Sequence, residues 1–272
     1  MNTGVNVNEI IDKIDALLSA GEDAQAEKTL IDAIAQYTEA EPDNVVGQSV
    51  LLNELGGFYR NRGILDKGEE AYLKAKALLE KIREYSHVVD GPDEATCCSC
   101  SGQSSDSCFS KSGDEENQSY MEVILINERL TANYATTLNN LAGLYRMGKE
   151  YSKAIDMFDE AINIYENCRE KVAPDYLASV YSNKGLIYLD LQDAVQARVL
   201  FLKAKEILEN GGEYPFALGT TISNLAFAAL IDRQASEAVE LLREAKSLFE
   251  AAGSPEMAQG CEDLLSKLEA KQ

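Results

Sequence analysis

A pattern of large and small residues that returns every 41 to 43 positions constrains this 272-residue chain more than any other feature. One copy holds Leu138, Leu141, Ala142 and Tyr145, then Ala154, Phe158 and Ala161. The same slots hold Leu52, Leu55, Gly56, Tyr59, Gly68, Tyr72 and Ala75 upstream, and Tyr181, Lys184, Gly185, Tyr188, Ala197, Phe201 and Ala204 downstream. A later copy reads Ile222, Leu225, Ala226, Ala229, Ala238, Leu242 and Ala245, and a degenerate first copy reads Ile10, Lys13, Ile14, Leu17, Ala26, Leu30 and Ala33. Within each half the apolar spacing is that of an amphipathic helix, and a short turn carrying Gly21, Gly63 or Gly148 separates the halves. Each unit is therefore a helical hairpin, with small residues where its helices approach and an aromatic filling the space beside them. The fold class that follows is all-α.

This alternation resembles the tetratricopeptide repeat (TPR). Ile14 to Gly56 is 42 residues, Ala142 to Gly185 is 43 and Gly185 to Ala226 is 41. These exceed the common unit of about 34 residues and are similar to the long repeats of kinesin light chains and of stand-alone bacterial proteins of the family. The resemblance implies a right-handed superhelical solenoid of about five TPR-like repeats closed by a C-terminal capping helix. Three departures stand out: Lys184 replaces the usual Leu, Ala229 replaces the usual aromatic, and repeat one is nearly devoid of aromatics.

Gly56 to Ala142 is 86 residues, twice the period, so the gap holds either a hidden repeat or an insertion. Residues 86–120 are dense in Ser, Asp, Glu and Gly without apolar periodicity, which favours an insertion. The expected organisation is repeats one and two over 6–85, an inserted and mobile loop over 86–120, a helical return with repeats three to five over 121–251, and the capping helix and tail over 252–272. Cys97, Cys98, Cys100 and Cys108 lie in the loop, with the single histidine, His87, upstream. Thiolate and imidazole suit tetrahedral zinc, but a second C-x-x-C is missing. His87, Cys97, Cys100 and Cys108 are thus candidate metal ligands, with a redox switch or an inert loop as the alternatives. Cys168 and Cys261 fall on helices and are expected to be packed.

By resemblance, the first helix of each hairpin lines the concave surface, where asparagines hold the backbone of an extended peptide. Asn53, Gly57 and Arg60 in repeat two are matched in register by Asn139, Gly143 and Arg146 in repeat three. Asn can both donate to and accept from a peptide backbone, Gly leaves room for approach, and Arg can take a carboxylate through two bonds. Asn140, Asn183 and Asn224 align one slot further on, while Ser182, Leu186 and Leu189, and Ser223, Phe227 and Leu230, form a more apolar strip. The matching ligand has an acidic or C-terminal end followed by large apolar side chains.

The formal charge of −21, from 46 Asp and Glu against 25 Lys and Arg, disfavours nucleic acid and anionic membranes as partners. The four segments 46–62, 134–147, 176–190 and 217–231 nevertheless carry +1, +1, 0 and 0, which leaves −23 on the rest of the chain. The longest uncharged apolar run, residues 225–231, is far shorter than a membrane span, and the N-terminal residues lack a signal-peptide pattern. Gly143 to Lys149 matches most of GxxxxGK, but Glu150 stands where Ser or Thr would hold magnesium. The chain is expected to be a cytoplasmic, non-enzymatic scaffold without a cofactor, monomeric or weakly self-associating, that binds an as yet unidentified protein or peptide. A metal- or redox-responsive regulator gated by the loop and a self-assembling structural protein are the alternatives.

Overall fold

The computed structural model describes the backbone of residues 6–89, 114–167 and 173–270, and the side chains of 6–81, 130–167 and 173–270. The elements are α1 (Val7–Ser19), α2 (Asp23–Ala40), α3 (Val45–Asn61), α4 (Leu65–Val89), α5 (Asp114–Met147), α6 (Tyr151–Asn167), α7 (Pro174–Asp190), α8 (Ala194–Gly211), α9 (Pro215–Ile231), α10 (Ala235–Ala251) and α11 (Pro255–Glu269). Among the described residues every element is a helix. Two ends differ from the sequence expectation. Helix α4 runs on to Val89 and α5 begins at Asp114, so both enter the segment 86–120 that composition assigned to a loop. Asp114, Glu115 and Glu116 open α5, and acidic residues there complement the helix dipole, so a loop-like composition is compatible with a helix start. The four loop cysteines and Cys168 lie outside the described residues.

Two compact units are distinguishable, residues 1–58 with 70–134, and residues 59–69 with 135–272. In the first, α1 packs on α2, burying Ile14, Ala26, Leu30 and Ala33. The Tyr37 ring lies against Gly47, and the Tyr72 ring lies where a Cβ at Gly56 would be, 2.5 Å from its Cε1. That close approach is why the sequence keeps a glycine mid-helix despite its entropic cost. The Tyr134 hydroxyl donates to Glu80 Oε1 at 2.8 Å.

In the second unit α7 packs on α8, α8 on α9, α9 on α10 and α10 on α11. The repeat slots form its core: Ala154, Phe158, Ala161, Ala197, Phe201, Ala204, Ala238, Leu242 and Ala245 are fully buried. Gly185 lies against Phe201 as Gly56 lies against Tyr72. Helix α11 closes the stack with Ala258, Cys261 and Leu265 against the Leu242 and Phe249 cluster, and burial pushes the Cys261 thiol up from its ordinary pKa. Lys184, the departure from Leu, is half-buried and pairs with Asp159. Helices α8 and α10 are tied by Arg198, which donates to both carboxylate oxygens of Glu237 at 2.6 and 2.7 Å.

Each hairpin turn closes in the same way. A residue in the left-handed region lets the next amide donate back to the carbonyl five positions earlier, as from Glu150 to Tyr145, Asp193 to Tyr188 and Gln234 to Ala229, each at 2.8 Å. Gly21, Gly63 and Gly253 take that conformation, but so do Lys149, Gln192 and Arg233, at φ of 60°, 59° and 60°. The turn of repeat three thus places its positive φ on Lys149, one residue beyond Gly148.

Candidate functional site

The sequence-selected inner residues divide between the two units, with Asn53 and Gly57 in the first. Asn53 is buried and donates to the Ser49 carbonyl of its own helix at 3.0 Å. Gly57, in the same unit, has open space except for Tyr72 Oη, which a Cβ would meet at 3.7 Å.

The remaining residues lie in the second unit. The Arg60 guanidinium rests over Gly143, its Nη1 at 3.4 Å from where a Cβ there would stand. Gly143 therefore makes room for an arginine of this chain. Arg60 has no carboxylate partner among the described residues. Arg146, its sequence equivalent, is already engaged: Nε donates to Asp190 Oδ2 at 2.7 Å and Nη2 to Oδ1 at 3.3 Å. The fork expected to receive a ligand carboxylate is filled by one from the next repeat.

Asn183 donates through Nδ2 to Asn139 Oδ1 at 3.0 Å, joining α7 to α5. Asn140 and Asn224 are half-buried and make no side-chain hydrogen bond among the described residues. Ser182 is buried and shares a 3.2 Å hydrogen bond with Thr221. Leu186 and Leu189 pack on the cluster of Ala197, Phe201 and Leu225, so this half of the apolar strip belongs partly to the core. Phe227 stays 39% exposed.

A cavity of about 920 Å³ opens where the C-terminal ends of α5, α7 and α9 meet their turns. Arg146, Lys149, Tyr151, Asp190, Gln192 and Arg233 provide its polar lining, and Met147, Leu189, Phe227, Leu230 and Ile231 its apolar lining. Arg146, Phe227, Leu189 and Leu230 among these were selected by sequence as inner-face residues. Lys149 entered the sequence reading only through the GxxxxGK match, and Gln192 and Arg233 were missed, although a signal existed: all three hold the repeat slot that Gly63 holds in repeat two.

Next to this rim the Tyr145 hydroxyl donates to Glu69 Oε1 at 2.8 Å. Burial first, then the hydrogen bond to Glu69, pushes its pKa up to about 12. Tyr181 is raised likewise, by burial and by Glu166, while the Lys203 ammonium is raised by its hydrogen bond to Tyr181. These groups brace the stack and do not reach the cavity lining.

No cluster of three or more metal-ligating side chains occurs among the described residues. His87 falls within α4, with its side chain outside the description. Gly143 of the GxxxxGK match lies within α5, so the segment is not a phosphate loop. Among the described residues no helix is long and apolar enough to cross a membrane.

Residues 135–167 match the family model for the tetratricopeptide repeat. No curated protein matches the sequence. Among solved structures, BtubC (BKLC) from P. vanneervenii aligns at a TM-score of 0.55 and 20% identity over 97% of this chain and 80% of that one. The nearly identical TPR-like repeats of a kinesin light chain from Podosopora anserina align at 0.57 and 12% identity, over 93% of this chain and 99% of that one. The signal transduction ATPase with a tetratricopeptide repeat sensor from Pyrococcus horikoshii aligns at 0.61 and 15% identity, over 94% of this chain but 31% of that one. The helices pair consecutively as in these repeat proteins, and the resemblance extends to long repeats of the kinesin light chain kind. At such identities the likeness concerns the fold.

Proposed function

We propose that this array, built around a tetratricopeptide repeat, is a non-enzymatic scaffold that binds an extended segment of a partner protein along the inner helices of its second unit. The observation that carries this reading is the asparagine row. Asn140 and Asn224 are half-buried and make no side-chain hydrogen bond among the described residues, on either side of an Asn183 that is tied to Asn139. An amide that has surrendered part of its water without gaining a protein partner is poised to exchange the rest for a peptide backbone. Extended inner surfaces are the usual binding faces of helical-repeat arrays, and the near-neutral inner segments of a chain at −21 keep that face open to neutral or acidic ligands.

The test is selection from a displayed library of random peptides, followed by titration calorimetry of the selected peptides. Asn140→Ala with Asn224→Ala removes two side chains that make no side-chain hydrogen bond among the described residues. Affinity falls by about tenfold or more if each amide makes a hydrogen bond of ordinary strength to the ligand. Undiminished binding by the double variant would place the ligand elsewhere.

A further inference from the structure

We infer that the exposed face of α8 docks an amphipathic helix of another protein, one whose apolar stripe is flanked on both sides by lysine or arginine. The inference concerns a different surface from the asparagine row and does not depend on it.

The first observation is a break in the repeat pattern. Val195, Val199 and Leu202 follow one another along α8 at the spacing of a single helical face, and they are 64%, 57% and 48% exposed. The corresponding slots of α6, 43 positions earlier, hold Ser152, Asp156 and Asp159, and those of α10, 41 positions later, hold Ser236, Glu240 and Arg243. All six are exposed. The repeats on either side thus present polar groups to solvent where repeat four presents an unbroken aliphatic row. Single exposed apolar side chains are ordinary, but a contiguous row is the usual mark of a contact surface.

The second observation is electrostatic. The cations of α8 are turned sideways onto its neighbours: Arg198 pairs with Glu237 of α10 at 2.6 Å, Lys203 with Glu166 of α6 at 3.0 Å, and Lys205 with Glu244 of α10 at 3.8 Å. These pairs place α6 and α10 beside α8 and leave the aliphatic row uncharged. Both neighbours are acidic, α6 with four carboxylates against one Lys and α10 with four against Arg243 and Lys246. Asp156 and Glu240 share the register of Val199, so the middle of the row has an exposed carboxylate on each side.

Area and charge together select the occupant. Three part-exposed aliphatic side chains offer far less than the roughly 800 Å² per partner that a standard interface buries, so the flanks must contribute. A second copy of the chain would bring the same acidic flanks, and like charges across an interface oppose association. A helix with basic flanks meets both demands. With apolar residues at a and d of a heptad and Lys or Arg at e and g, its stripe covers the aliphatic row while its long basic side chains reach across the roughly 8–10 Å between packed helices to the acidic neighbours. From Val195 to Leu202 the row rises about 12 Å, which two to three turns of a partner helix cover.

The experiment titrates the full chain, by fluorescence anisotropy, with labelled peptides of about three heptads. One carries Leu at a and d with Lys at e and g, a second replaces its Lys by Glu, and a third replaces its Leu by Ser. The first is expected to bind, and the other two at least about tenfold more weakly. Val195→Ser with Val199→Asp and Leu202→Asp gives α8 the residues that α6 already carries in those exposed slots, so the fold is kept. This variant adds two negative charges: simple attraction of a basic peptide to an acidic chain would strengthen, whereas docking on the aliphatic row weakens by about tenfold or more. Tighter or unchanged binding by the variant, or no binding of the first peptide to the wild-type chain, overturns the inference. Asp156→Asn with Glu240→Gln leaves the row intact and lowers affinity severalfold, and an unchanged affinity there overturns the partner chemistry. Binding persists in Asn140→Ala with Asn224→Ala, whereas its loss would move the peptide to the inner helices and overturn the docking site. In sedimentation velocity, a dimer that the triple variant dissolves would make a second copy the occupant and equally overturn the inference.

Discussion

Replacing Gly185 with Ala separates two opposing effects that the structure lets us weigh. Glycine inside α7 should cost about 1 kcal/mol relative to alanine through backbone entropy, so helix propensity alone forecasts a gain. Packing forecasts the reverse. A Cβ at position 185 would stand 2.6 Å from Phe201 Cε1, 2.9 Å from Cδ1 and 3.0 Å from Cζ, where carbon atoms settle at about 3.5–4.0 Å. Phe201 is fully buried, in a cluster with Ala194, Ala197, Leu225 and Ala228, so the ring must move by close to an ångström in a full core. Overpacking of that kind costs about 1–3 kcal/mol, and a displaced buried aromatic belongs in the upper half of the range. The net expectation is a loss of about 1 kcal/mol. The next repeat supplies the control, because there Ala226 occupies the small slot and Leu242 the aromatic one. Gly185→Ala with Phe201→Leu recreates that pair and should be more stable than the two single effects sum to, by about 1 kcal/mol or more. Urea unfolding followed by circular dichroism, with slopes compared to confirm that all four proteins lose the same structure, measures the cycle. A single Gly185→Ala that gains about 1 kcal/mol would refute the packing argument.

Gly57→Ala has space, its Cβ meeting only Tyr72 Oη at 3.7 Å, and should raise stability by up to about 1 kcal/mol in the same denaturation assay. Asp190→Asn frees the Arg146 fork and should tighten binding of acid-bearing peptides by severalfold in calorimetry, whereas an unchanged affinity would show that Arg146 plays no part in binding. Tyr145 predicts an alkaline limit. Its folded pKa, pushed up to about 12, lies above the ordinary value of 10.0, so the folded state holds this proton more tightly. The stabilisation is complete below pH 10 and lost as pH rises toward 12. Tyr145→Phe should flatten the stability profile between those values, and an identical profile in both proteins would rule out Tyr145 as its source.

What the sequence made legible was size and period. Ala154, Phe158, Ala161, Ala197, Phe201 and Ala204 were assigned to close-packed slots and all are fully buried, because helix approach depends on side-chain volume and volume is written in the sequence. Partners across repeats were less accessible. Arg60 and Arg146 share a register, yet one lies over a glycine and the other is held by an aspartate 44 residues further along, a pairing that depends on how neighbouring hairpins stack. Asn53 and Asn139 also share a slot, but Asn53 bonds back to its own helix while Asn139 accepts from α7. The shared turn slot of Lys149, Gln192 and Arg233 escaped notice because the left-handed position is advertised by glycine, and Gly148 lies one position too early to fill it. Helix ends inside 86–120 were hidden by a composition that serves loops and helix starts alike.

The polar ties between neighbouring inner helices bear on mechanics. Asn139 with Asn183 near mid-helix and Arg146 with Asp190 near the helix ends clamp α5 to α7 at two levels, while the buried Ser182 and Thr221 hydroxyls join α7 to α9. In an array of stacked hairpins each repeat contacts only its neighbours, so extension proceeds through those interfaces in series, and a step clamped at two heights resists both opening and shear. Pulled from its ends, this stretch should yield last at the α5–α7 step, holding the spacing of its asparagines constant under a load that would already have stretched an unclamped coil.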